Sequence, residues 1–375
     1  MRVGIDAYLL HEGADYRAAG VSRYVNELLA HLPGVAPQHR YIAFRGPDSD
    51  STAGIASVVS SLPTDNPIIR IAWEQTALPA LSRFAGIDVL HGPVNVVPEL
   101  HRGATVVTVH DLSFLTFPDR FPRAKAAYLT AMVARSCRKA TRVIAVSAST
   151  RRDLLERLHV PASKVETVYA GVQAGFRLLP PAEVDRFRQA RFGNRPYILH
   201  VGTLQPRKNI DILIRAFSGL RRRESLPHRL VLVGAKGWMY ESLFRLVREL
   251  GVEEAVDFAG YVRPEDLPLW YNAADLLALP SAYEGFGLPL IEAMACGLPA
   301  VVSAGGALEE VGGSACLTVE SGSAEALQAA MARILGDPEL RASLREAGLE
   351  RAKGFTWVST AKQTANVYEE ALAAS

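Results

Sequence analysis

The chain has 375 residues, 49% of them hydrophobic and 21% charged, a length comfortable for two domains and the profile of a soluble globular protein. Its formal net charge of +2 gives no global reason to expect nucleic acid. Cys137, Cys296 and Cys316 lack CxxC or Cys/His metal spacing, and no run resembles a signal peptide or could span a bilayer, so a reduced, cytoplasmic protein is expected.

Residues 3–7 read as a strand leading through a polar loop to Ala18-Ala-Gly20-Val-Ser-Arg-Tyr24 and a helix with Val21, Tyr24, Val25, Leu28, Leu29 and Leu32 at helical spacing. Apolar runs follow at 41–44, 68–71, 87–90, 105–109 and 143–146, mostly separated by helical patterns, and this alternation predicts a parallel sheet covered by helices. The run 105–109 ends in His110-Asp111, two polar residues where open α/β sheets place ligands. A histidine there is equally a satisfied strand-end residue. Residues 120–142 carry Arg120, Arg123, Lys125, Arg135, Arg138, Lys139 and Arg142 without an acidic residue among them. Such a segment suits an anionic membrane surface or an anionic acceptor, a solvated helix face being the commoner explanation.

Residues 164–172 read as the last strand of the first domain, 1–172. Pro180-Pro181 continues neither a helix nor a central strand, which makes 173–195 a linker to a second domain at 196–354, followed by a helical segment at 355–375. The second half restarts with a strand at 197–201, the loop Gly202-Thr-Leu-Gln-Pro-Arg207-Lys208-Asn209 and a helix. Arg207 and Lys208 can offer charge and donors to a diphosphate, or simply solvate their loop. Further strands are expected at 229–233, 256–262, 301–302 and 316–319.

Between them, Asp275-Leu-Leu-Ala-Leu-Pro280 reads as a short buried strand entering Ser281-Ala-Tyr-Glu284-Gly-Phe-Gly287-Leu-Pro-Leu-Ile-Glu292-Ala-Met-Ala-Cys-Gly297. Pro289 and Gly297 bracket a short helix as first-turn proline and C′ glycine, so Glu284 sits on the loop and Glu292 one turn inside the helix. Gly285 and Gly287 strip side chains from the loop, and N–H groups near Gly287 and Leu288 can approach an anion at the helix N-terminus. A carboxylate beside a phosphate seat needs a partner of its own, and sugar or ribose hydroxyls supply one. The combination suggests a sugar nucleotide, against the plainer reading of a glycine loop with a capping or solvated Glu292.

Glu284, seven residues and Glu292 in this Gly-Phe-Gly-Leu-Pro setting resemble the Glu-x7-Glu signature of retaining glycosyltransferase family 4. The resemblance runs in order along nearly the whole chain, through the His110-Asp111 strand end and the Lys208 loop. It implies an α/β protein of GT-B fold, two Rossmann-like parallel-sheet domains facing across a cleft, the first on the acceptor side and the second holding the donor. It implies that residues 355–375 cross back to the first domain and that Gly20, alone of the family's glycine pair, lies in a cleft loop. Lys208 falls on the family's diphosphate lysine, while Thr203 stands where an arginine is usual, and Arg207 is the candidate replacement. Backbone near Val262 would face the base, Glu292 the ribose, and Glu284 and His110 the donor sugar around its reacting carbon, with Glu284 either nucleophile or positioner.

The expected activity is therefore a retaining hexosyltransferase, mannosyltransferase-like, acting on a glycan or lipid-linked saccharide in polysaccharide or lipid-linked oligosaccharide assembly. The donor reading leans to GDP-mannose, with UDP-glucose and UDP-GlcNAc as alternatives. No DxD pair or metal-ligand cluster is evident, so protein cations rather than a metal or other cofactor are expected to offset the diphosphate charge. The alternatives are a GT-B sugar-nucleotide epimerase, which needs no acceptor, and a carbohydrate- or nucleotide-binding protein without catalysis. A dinucleotide oxidoreductase lacks its GxGxxG after the first strand.

Overall fold

The computed structural model describes residues 1–8, 10, 20–47, 54–62, 66–224, 226–237 and 239–375. It separates into two compact units, one made of Met1–Gly171 with Thr356–Ser375 and the other of Val172–Phe355.

The first unit is built on seven parallel strands, β1 (Arg2–Asp6), β2 (Arg40–Arg45), β3 (Ala56–Val59), β4 (Val89–Gly92), β5 (Ala104–Val109), β6 (Arg142–Ala145) and β7 (Val165–Thr167). Their spatial order is β3-β2-β1-β4-β5-β6-β7. Every residue of β5 is buried, as an uninterrupted apolar run requires of a parallel strand covered on both faces. The chain order reverses between β1 and β4, and a crevice opens beyond the carboxyl ends of strands at such a point.

Helix Val21–Val35 buries Tyr24, Val25, Leu28, Leu29 and Leu32, the stripe its spacing predicts. Helix Trp357–Ala373 belongs to this same unit and buries Trp357, Ala361, Ala365, Val367 and Tyr368. The Tyr368 hydroxyl lies 2.7 Å from Nδ1 of His91, whose Nε2 is 2.8 Å from Thr108 Oγ1. Thr360 Oγ1 donates to the Tyr169 carbonyl at 2.7 Å.

Two elements differ from expectation here. The run 68–71 is not a strand but the start of helix Pro67–Phe84, because the Asn66 side chain accepts from the Ile68 N–H and Pro67 occupies the first turn. β3 was not expected, since a mostly exposed edge strand of four residues shows no continuous apolar run. Of the loop before Gly20, residues 11–19 lie outside the described residues. The basic segment forms helix Arg123–Lys139 with Arg123, Lys125, Arg135 and Arg138 exposed, while Arg142 begins β6 and pairs with Glu370 at 3.4 Å. Among the described residues no helix is long and apolar enough to cross a membrane.

The second unit holds six parallel strands, β8 (Tyr197–Val201), β9 (Arg229–Val233), β10 (Val256–Gly260), β11 (Leu276–Leu279), β12 (Ala300–Ser303) and β13 (Leu317–Val319), ordered β10-β9-β8-β11-β12-β13. Leu213, Phe217, Leu230, Leu276, Val301 and Met331 lie in its core. The segment expected as a linker carries helix Pro181–Phe192 and belongs to this unit. A proline cannot continue a helix but suits its first turn, where its missing N–H has no intrahelical partner anyway. Phe187 and Phe192 then pack on Trp270 with ring centroids 5.4 and 5.8 Å away, and Arg188 reaches Asp275 at 3.1 Å.

Candidate functional site

The second sheet reverses its order between β8 and β11, so the loops that follow these two strands flank its crevice. The loop after β8 tightens into a single turn, Pro206–Lys208, and Asn209 takes the left-handed conformation at φ 50° before helix Ile210–Glu224 begins. Asn209 Nδ2 donates to the Pro280 carbonyl at 2.9 Å, and the Ala282 N–H donates to the Arg207 carbonyl at 2.8 Å. These bonds fix the β8 loop against the β11 loop.

The fixed loops bring three charged side chains together. Lys208 Nζ donates to Glu284 Oε1 at 2.5 Å, and Arg207 Nη1 donates to Glu284 Oε2 at 2.9 Å and to the Tyr283 carbonyl at 2.8 Å. None of the three side chains is more than 15% exposed. Burial alone would raise the Glu284 carboxyl; the charges of Arg207 and Lys208 outweigh it and hold the group at about 2. Glu284 is thus an anion at neutral pH shared by two cations, and the cluster carries a net charge of one plus.

Helix Leu288–Ala295 starts beside this cluster. Its cap, Gly287, has φ 110°, and a Cβ there would lie 2.5 Å from Leu308 Cδ2, so both conformation and space demand glycine. The first N–H groups of a helix have no intrahelical acceptor, so the Gly287-Leu288 corner is a place where backbone donors remain available. Glu292 lies one turn in, only 2% exposed, and accepts from the Tyr271 hydroxyl at 2.8 Å, which rules out the solvated reading. Gly297 follows the helix with φ 67°, as its C′ position expects.

Thr203 and Val262 stand at the same carboxyl edge of the sheet, both partly buried. β10 ends at Gly260, short of Val262, where the glycine turns to φ 74° and its carbonyl accepts from the Gly234 N–H at 2.8 Å. Of the expected site residues, Arg207, Lys208 and Glu284 are thus in direct contact, and Thr203, Val262, Gly287 and Leu288 lie on segments that follow strands of the same sheet.

His110 and Gly20 belong to the first unit. His110 follows β5; its N–H donates to Asn95 Oδ1 at 2.8 Å and its Nε2 to the Pro93 carbonyl at 2.7 Å. A carbonyl only accepts, so Nε2 carries the proton and Nδ1 the lone pair. Tyr24 meets the imidazole edge-on at 4.8 Å, and burial lowers the His110 pKa against the opposing effects of the Pro93 carbonyl and Asp111. Asp111 is occupied locally, accepting from the Ser113 N–H and hydroxyl at 3.0 and 2.7 Å. Gly20, at φ 38°, caps helix Val21–Val35.

Sequence reasoning missed His200, a single histidine inside the apolar run of β8. It is fully buried and donates from Nδ1 to the Ala278 carbonyl at 2.9 Å; burial lowers its pKa to about 4. A Cβ on Gly202 would lie 3.4 Å from Lys208 Nζ and 3.6 Å from His200 Nε2, so both groups border the space that this glycine leaves open. The signal available was a titratable group inside a strand whose other members are all apolar. Among the described residues no three His, Cys, Asp or Glu side chains gather as a metal site.

Two family models cover most of the chain: Glycosyltransferase Family 4 matches residues 18–176 and Glycosyl transferases group 1 matches 181–351. O-antigen chain mannosyltransferase B of Escherichia coli is 34% identical over 283 residues, 75% of this chain and 74% of that protein. A D-inositol 3-phosphate glycosyltransferase of Salinispora arenicola is 34% identical over 295 residues, 74% of this chain and 64% of the relative. Sucrose-phosphate synthase of Thermosynechococcus elongatus has a TM-score of 0.82 at 23% identity, each chain covered in full. Anabaena HepE in complex with UDP and glucose has a TM-score of 0.74 at 20% identity over 98% of this chain and 99% of that one. At these identities the likeness to the two structures is one of GT-B fold.

Proposed function

The chain belongs to glycosyltransferase family 4, and on that footing we propose that it transfers a hexose, with retention at the anomeric carbon, from a nucleoside-diphosphate sugar to a saccharide or lipid-linked saccharide. The observation that carries this reading is the shared Glu284. A buried lysine and a partly buried arginine on one carboxylate give the three side chains a net positive charge near the Gly287-capped helix, a place suited to a diphosphate.

Each group then has a task. Arg207, Lys208 and the N–H groups at Gly287 and Leu288 offset the charge that grows on the departing diphosphate, and they do so already in position, without reorganising. Glu292, oriented by Tyr271, accepts from ribose hydroxyls. Neutral His110 offers its Nδ1 lone pair to a hydroxyl of the donor sugar. Val262 and Thr203 line the edge toward the nucleotide.

Glu284 acts as a positioner. A carboxylate nucleophile needs a free lone pair aimed at the anomeric carbon, in a carboxyl pair about 5 to 5.5 Å apart. Both Glu284 oxygens are engaged by cations, and this favours front-face attack by the acceptor hydroxyl, its proton passing to the departing phosphate. The protein cations take the role a metal has elsewhere.

For the donor we propose GDP-mannose, in keeping with the identity to the O-antigen chain mannosyltransferase. Free, buried Cys137, Cys296 and Cys316 suit the cytoplasm, and exposed Arg123, Lys125, Arg135 and Arg138 suit the anionic inner membrane face where a lipid-linked acceptor is held.

A thermal-shift panel of GDP, UDP, ADP and their common sugar conjugates, with and without EDTA, tests the reading, because a bound nucleotide stabilises by mass action. Guanine nucleotides alone should raise the melting temperature, equally in EDTA. A uracil preference would replace the donor, and no shift from any nucleotide would sink the donor site.

A further inference from the structure

The second unit has another concavity, at the edge of its sheet opposite the donor residues. Pro196, Asp275 and Pro299 line it, and each stands immediately before a strand, β8, β11 and β12 in turn. Its volume is about 550 Å³, within the range of small-molecule sites. Open α/β sheets bind their substrates at the carboxyl ends of strands, so the transfer reaction has no use for a cavity at the amino ends.

The charge in its wall is one-sided. Arg341 and Arg345, four residues apart on helix Pro338–Ala352, border the cavity together. Arg341 Nη1 donates to the Ile334 carbonyl at 3.4 Å and to the Leu335 carbonyl, and Arg345 Nη1 donates to the Gly297 carbonyl at 3.4 Å. These bonds use one nitrogen of each guanidinium and leave the rest of its five N–H donors. Among the described residues neither guanidinium pairs with a carboxylate. The acidic wall residue, Asp275, is committed elsewhere: Oδ1 accepts from Arg188 Nη2 at 3.1 Å and Oδ2 from the Tyr197 N–H at 2.9 Å. His228, also in the wall, has its Nε2 3.8 Å from Asp275 Oδ2, and burial lowers its pKa, so its ring is neutral at neutral pH.

Two further wall residues bond directly to Glu292. The Tyr271 hydroxyl donates to Glu292 Oε2 at 2.8 Å, and the Cys296 N–H donates to the Glu292 carbonyl at 3.1 Å. An occupant of the cavity therefore touches the groups that hold Glu292 by its side chain and by its main chain.

We propose that this cavity is an effector site for a small phosphate ester, gripped by Arg341 and Arg345, whose presence changes nucleotide affinity through Tyr271, Cys296 and Glu292. The binding stands on the cavity alone, whereas the coupling rests on the donor reading given above. Guanidinium forks match phosphate oxygens two at a time, which selects phosphate over a lone halide or a neutral sugar. The cavity is too large for a bare phosphate to fill, and Leu298 and Leu335 in its wall suit the carbon body of an ester. Coupling of this kind is reciprocal: the factor by which the ester changes nucleotide affinity is the factor by which nucleotide changes ester affinity.

Isothermal titration calorimetry on the full chain, with ribose 5-phosphate, glycerol 3-phosphate, inorganic phosphate and uncharged ribose as separate titrants, tests the site. At least one ester should bind more tightly than inorganic phosphate, and ribose should give no heat. Arg341→Gln and Arg345→Gln should each weaken the ester about tenfold, the worth of a hydrogen bond to a charged group. Lys208→Ala, at the other edge of the sheet, should change it by less than about twofold. GDP and UDP are then titrated with and without saturating ester. The nucleotide that binds should shift in affinity about fivefold or more, the reverse titration should give the same factor, and Tyr271→Phe should abolish both shifts. No binding of either ester, or binding lost in Lys208→Ala and kept in both arginine variants, would overturn the site. An ester that binds without moving nucleotide affinity would overturn the effector role. Failure of both nucleotides to bind would overturn the donor reading instead, with the ester titrations still deciding the cavity. Arg341 caps a helix end, so if Arg341→Gln no longer unfolds cooperatively, Arg345→Gln, at an exposed position, decides alone.

Discussion

Lys208 and Glu284, 76 positions apart in the chain, meet at 2.5 Å at the carboxyl edge of the second sheet, and Arg207 takes the other oxygen of the same carboxylate. Glu284 is therefore the group that holds both cations in place before any substrate arrives. Glu284→Gln keeps the shape and removes the negative charge that the two cations share, so their positive charge is less offset where a diphosphate would sit. Turnover should fall about a hundredfold or more while the affinity for nucleoside diphosphate stays the same or rises, a loss confined to the transition state. Steady-state kinetics with calorimetric titration of GDP checks this; equal losses in both would contradict the positioning role.

Arg207→Ala and Lys208→Ala should each weaken donor binding by about tenfold or more, the worth of a hydrogen bond to a charged group. Thr203→Ala should change it by less than about twofold, since Arg207 and not Thr203 reaches the cluster. Unaltered donor affinity in Arg207→Ala would remove that residue from the site.

The cluster also sets a pH window. Glu284 is lowered from 4.5 to about 2 on folding, so its contribution to stability is complete above about pH 4.5 and is lost as the pH falls toward 2. Thermal unfolding of the unmodified chain and of Glu284→Gln across this interval should show their difference narrowing as acid is added. A constant difference would mean the carboxylate is not held by the two cations.

Gly287→Ala places a side chain at φ 110° and 2.5 Å from Leu308 Cδ2. Destabilisation of about 1 to 3 kcal/mol is expected from the backbone strain, with a weaker hold on nucleotide because the helix corner must shift. Gly287→Ala combined with Leu308→Ala should recover the steric share and leave the conformational share. Chemical denaturation of the two variants separates these.

Much of the frame was legible because parallel strands buried on both faces write themselves as apolar runs; β5, β8 and β9 fall where those runs do. The Leu288–Ala295 helix was equally plain, since Pro289 and Gly297 mark its ends chemically. The run at 68–71 misled because Ile-Ile-Arg-Ile suits strand and helix alike, and the deciding bond is made by the Asn66 side chain, outside the run. Pro180-Pro181 misled in the opposite sense, a helix start resembling a break. What the sequence could not show is proximity. Nothing in the spacing of Arg207, Lys208 and Glu284 says that they touch.

The first unit takes its last helix, Trp357–Ala373, from beyond the whole of the second unit, with Tyr368 on His91 and Thr360 on the Tyr169 carbonyl. During synthesis the ribosome thus delivers every strand of the first sheet early and the piece that seals it late. The intervening unit is complete by Phe355 and can finish folding while its predecessor waits, open along the face that this helix will cover. Residues 1–171 lack for that interval the buried face that Tyr368 and Trp357 supply, and removing the final helix should harm the domain at the opposite end of the sequence from the cut.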